Sequence, residues 1–147
     1  MISRIGSSSA EATTVTIPAG HQQGDIIIIA AFRDGSTTNP TVPAGWSTWT
    51  ITTDGTTCSL SVGWKIAISN SDTSGTWTNA TGLICHVYRG VDLISPFGVL
   101  TTTPITSLTT NAGTTSPSTY GSTVGVTKGR MNDQWFVAFQ FHRSVNT

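Results

Sequence analysis

The sequence predicts an all-β domain: an antiparallel β-sandwich, jelly-roll or immunoglobulin-like, with eight or more strands. Three observations lead there. Residues 57–68 alternate with period two: Cys58, Leu60, Val62, Trp64, Ile66 and Ile68 share one face, and Thr57, Ser59, Ser61, Gly63, Lys65 and Ala67 share the other. A helix cannot produce that period. Ile26 to Phe32 is a continuous apolar run rich in β-branched residues, the pattern of a central strand buried on both faces. Gly, Pro and Asp punctuate the chain at intervals of roughly 8–15 residues, and no stretch carries an amphipathic helical period.

In chain order, Thr13–Ile17 reads as a weakly alternating strand ending at Pro18-Ala19-Gly20. Gly24-Asp25 opens the strand at 26–32, and Arg33-Asp34-Gly35 closes it. Residues 34–45, with Asn39-Pro40 and Pro43-Ala44-Gly45, read as loop. Trp46–Thr53 is a strand, and Asp54-Gly55 is a hairpin signal leading into 57–68. Ser69–Ser74 is a polar turn, and Gly75–Thr78 is a short strand carrying Trp77. Leu83–Tyr88 is a further buried strand, ended by Arg89-Gly90-Val91-Asp92. Residues 101–118 read as a Thr/Ser-rich loop, 119–127 as a weak strand, and 134–142 as a strong one with Trp135, Val137, Phe139 and Phe141 on one face. Nothing divides the chain, so residues 1–147 are read as one domain.

Composition narrows the function classes. Only 10% of residues are charged, net charge is zero, and Thr and Ser together make up roughly three residues in ten. Five Trp, five Phe and many Ile and Val exclude a disordered chain. A weakly charged, Thr-rich surface with no net charge favours association, so an assembly is expected. The seven cations are scattered, with only Lys128 and Arg130 close together, which argues against nucleic-acid binding. The longest apolar run is too short to span a bilayer, and Met1–Ser7 holds no signal-peptide core, so no membrane partner is expected.

The search for chemistry is unproductive. Ser is abundant, but no nucleophile elbow is present, and His21, His86 and His142 lie far apart. The acids are single and mostly sit beside Gly or Ser in turns, so no metal or carboxylate-pair site is expected. Cys58 and Cys85 match no zinc spacing and read as buried free thiols, with a single bridge between neighbouring strands as the alternative. His86 reads as a histidine packed on a sheet face. The tryptophans have two readings. Trp46, Trp49 and Trp77 lie near loops and would stack on a sugar ring if exposed. Otherwise Trp64 and Trp135 are core and the other three cap the ends of the sandwich, the reading favoured for large aromatics.

Several segments together resemble the β-sandwich domains of tailed-bacteriophage virion proteins, of tail, fibre-associated or head-decoration type. They are Ile17-Pro18-Ala19-Gly20, Gly24-Asp25-Ile26-Ile27, Pro43-Ala44-Gly45-Trp46, Val62-Gly63-Trp64-Lys65-Ile66-Ala67 and Val87-Tyr88-Arg89-Gly90-Val91-Asp92, in that order over residues 10–100. The resemblance implies a non-enzymatic virion component that decorates or cements the capsid or forms part of the tail. Its expected partners are major capsid or tail proteins and further copies of itself, and no cofactor is implied. In that setting Gly20 and Gly45 serve turns, Arg89 and Asp92 pair at a strand exit, and Ser7–Ala10 is a flexible end that orders against a neighbour. The weak match beyond residue 100, and the five residues left after the last strand, lead to the expectation that the domain lacks its final strands here. The alternative is a carbohydrate- or receptor-binding module using the three loop tryptophans on a surface glycan.

Overall fold

A computed structural model describes residues 1–54 and 58–94, together with Phe139 and Phe141. The described residues form five strands: β1 (Ser3–Ala10), β2 (Ile26–Asp34), β3 (Ser47–Asp54), β4 (Cys58–Ile66) and β5 (Gly82–Arg89). They make one sheet in the order β1-β5-β2-β4-β3, with every neighbouring pair antiparallel. The all-β, antiparallel reading therefore holds. The strands expected at 119–127 and 134–142 lie outside the described residues, apart from the two phenylalanines.

β2 is central, as its apolar run requires. Its even and odd residues feed two separate cores. Ile27, Ile29 and Ala31 face Val87, Cys85 and Leu83 of β5 on one side of the sheet. Ile26, Ile28 and Ala30 lie beside Ile66, Trp64 and Val62 of β4 on the other.

Among the described residues, the first side is roofed by extended chain rather than by a second ladder. Val15, Ile17, Trp77 and Ala80 pack down on it, with Val42 and Trp46 at the margin. Single bonds tie these segments together: Trp77 N–H to Thr13 O at 2.8 Å and Thr41 N–H to Thr78 O at 2.9 Å. Strand β4 anchors the roof. Its Ser59 Oγ donates to Thr38 O at 3.0 Å, and its Ser61 Oγ donates to Pro40 O at 2.6 Å. Ser59 and Ser61 of the alternating pattern are thus buried on this roofed side, each hydroxyl carrying a partner. The second side is aromatic. Phe141 stacks on Phe32 with centroids 5.1 Å apart, and Phe139 meets His86 edge-on at 5.1 Å.

Several expectations change. Residues 13–17 form no strand: Val15 and Ile17 are buried and Thr14 and Thr16 exposed, so the alternation is real, but the segment belongs to the roof and not to a ladder. Gly75–Thr78 is likewise loop. Ser7–Ala10 is not a flexible end, because it completes β1 against Leu83–His86. The pattern at 57–68 ends as strand at Ile66, and Ile68 is 78% exposed.

Gly63 shows why this strand needs a glycine. A Cβ there would sit 2.9 Å from Trp77 Cη2 and 3.1 Å from Ser47 O, so the absent side chain is the notch that receives the indole. Trp77 is 0% exposed, with Nε1 donating to Ser74 O at 3.0 Å. Trp77→Ala is expected to cost about 3–5 kcal/mol in urea unfolding, from lost burial and the cavity left behind. Gly63→Val is expected to cost about 1–3 kcal/mol by overpacking the same notch. Unchanged unfolding midpoints would contradict the notch.

Candidate functional site

The three tryptophans singled out from the sequence do not assemble into a binding platform. Trp77 must be withdrawn from the stacking set: it is wholly enclosed under the roof because Gly63 opens a slot for it. Trp46 packs at the margin of the roofed core, its ring at 70° to that of Trp77 with centroids 5.6 Å apart. Lys65 Nζ lies over the Trp46 ring, 5.1 Å from its centroid. Trp49 packs against the opposite, aromatic core. Trp46 and Trp49 therefore serve different faces and cannot contact one ligand ring together. Trp64, expected in the core, is half-buried on the aromatic face, and Trp135 lies outside the described residues.

What the structure does bring together is a set of charged and polar groups turned onto the frame. Asp25 stands just before β2, and Arg89 ends β5. Because Ile26 lies opposite Tyr88, the next step outward sets Asp25 opposite Arg89. The guanidinium grips the carboxylate with both forks: Nε to Oδ1 and Nη2 to Oδ2, each at 2.8 Å. Gln22 N–H donates to Oδ2 at 2.8 Å, and Arg89 Nη2 also reaches Gly20 O at 2.9 Å. The expected Arg89–Asp92 pair gives way to this one, and Asp92 Oδ1 instead accepts the Ile94 N–H. Gly20 and Gly45 do serve turns, with φ of 87° and 82°.

A second acid is held in the same way. Asp72 Oδ1 accepts Lys65 Nζ at 2.7 Å, while Oδ2 accepts the N–H groups of Ile68 and Ser69 at 2.8 and 2.9 Å. Every oxygen of Asp25 and Asp72 thus already has a donor. For both, burial pushes the pKa up. The opposing pull of the cation's hydrogen bond, backbone donors and positive charge is greater, so each carboxyl titrates below its ordinary value.

The remaining candidates are framework groups as well. His86 stacks parallel to Tyr88 at 6.1 Å and against Phe139; burial, and then the charge of Arg4, lowers its pKa. This is the packed sheet-face histidine that the sequence suggests. His21 is buried, and its Nδ1 donates to Pro18 O at 2.9 Å. Cys58 and Cys85 do not bridge each other, and burial pushes the Cys85 thiol up to about 12. A groove of about 590 Å³ runs between β1, residues 14–17 and residues 72–76. Two of its hydroxyls are turned to backbone carbonyls, Ser8 to Thr16 and Ser74 to Gly75. Among the described residues no group of three His, Cys, Asp or Glu side chains could hold a metal ion.

Signals for the two ion pairs were present in the sequence. An acid preceding one strand and an arginine ending its antiparallel neighbour become partners once the register is known. Lys65 and Asp72 face each other across a tight polar turn.

No family model, no curated protein and no solved structure matches this chain.

The two acids set a pH dependence. The unfolded chain, with Asp near 3.9, takes up these protons before the folded chain does. The stability they contribute is complete above that value and is lost as pH falls through the lower folded pKa values. Thermal unfolding followed from pH 6 to pH 2 is expected to show a falling melting temperature below about pH 4. Asp25→Asn and Asp72→Asn should each lower the melting temperature at pH 6 and flatten the acid limb. An acid limb unchanged in both variants would contradict the pairing.

Proposed function

We propose that this chain is a non-enzymatic structural component of a tailed-phage virion. It decorates or cements the capsid, or forms part of the tail, and acts through surface complementarity multiplied by symmetry. Its partners on this reading are major capsid or tail proteins and further copies of itself, and its location is the assembled particle. The domain is a β-sandwich in which the five-stranded sheet is one layer.

The observation that carries the reading is where the residues of the resemblance sit. Gly20, Asp25 and Arg89, from three separate segments, meet in one polar clasp. Gly63 accommodates the Trp77 indole against which Trp46 packs. The ordered motifs are thus one scaffold, and Asp25, Lys65 and Arg89 among their charged groups are bonded to it. The chain as a whole is Thr- and Ser-rich with zero net charge, which suits repeated close packing against neighbours. The glycan-binding alternative loses its platform, since Trp77 is enclosed and Trp46 and Trp49 serve opposite faces.

The test is protein identification and imaging of purified particles. The expected result is this polypeptide at regular lattice positions, for decoration, or in few copies at one vertex, for a tail part. Particles that lack the polypeptide would overturn the proposal.

A further inference from the structure

We draw no further inference here: the strongest candidate, the hydroxyl-lined groove of about 590 Å³ between β1, residues 14–17 and residues 72–76, carries nothing, because nothing in the structure shows what covers it.

Discussion

The bidentate contact between Arg89 and Asp25 is the constraint on which the sheet depends, because β2 cannot set its own register. In most half-buried strands a slip of one residue turns the apolar face to solvent and is forbidden by burial. β2 is apolar on both faces, with Ile26 through Ala31 all buried. A slip would exchange one isoleucine for the next at small hydrophobic cost. The clasp removes that freedom. It accepts only the alignment in which Asp25 meets Arg89, and therefore Ile26 meets Tyr88 and Ile28 meets His86. A displaced register would leave a nearly enclosed carboxylate, 2% exposed, without its cation.

On the other flank of β2 the same task falls to β4, with different chemistry. Ser59, Ser61 and Gly63 make a strand face with almost no bulk, and the roof descends onto it. Two hydroxyls fix the chain at Thr38 and Pro40, and the missing side chain at Gly63 fixes Trp77. Register and roof are thus specified together: moving β4 by one residue would set larger side chains where the indole lies. Lys65 continues the row. It spans from Trp46 to Asp72 and Thr73, so one side chain ties the roof's edge to the turn that follows β4.

Local patterns carried much of this into the sequence. The apolar run of β2, the alternation of β4 and the Leu83–Tyr88 strand were legible because each is a property of consecutive residues. β1 was not, since Arg4, Gly6 and three serines in a row look like an unstructured end. What makes it a strand is β5, about eighty residues later, and no local signal reports that partner. Residues 13–17 show the converse: their alternation is real, but alternation reports burial, not a ladder. The site reading failed at Trp77 for a related reason. Only the glycine fourteen residues earlier shows that this indole has somewhere to go. Arg89 was assigned to Asp92 by closeness in sequence, whereas the antiparallel register places Asp25 beside it.

The strand order also dictates a schedule. The central strand is made early, and both of its partners are made late. During synthesis β2 leaves the ribosome about thirty residues ahead of the end of β4 and about fifty-five ahead of β5. At ~5–20 residues per second the nascent chain displays four consecutive isoleucines, without a partner strand, for several seconds. The β3–β4 hairpin, the one pair of consecutive strands among the five described, can close as soon as it emerges and offers β2 its first shelter. Of the five described strands β5 emerges last, and its Arg89 locks an alignment that until then only bulk has held. Yield in a producing cell is therefore set as much by the length of that exposure, and by the chaperones available to cover it, as by the stability of the finished fold.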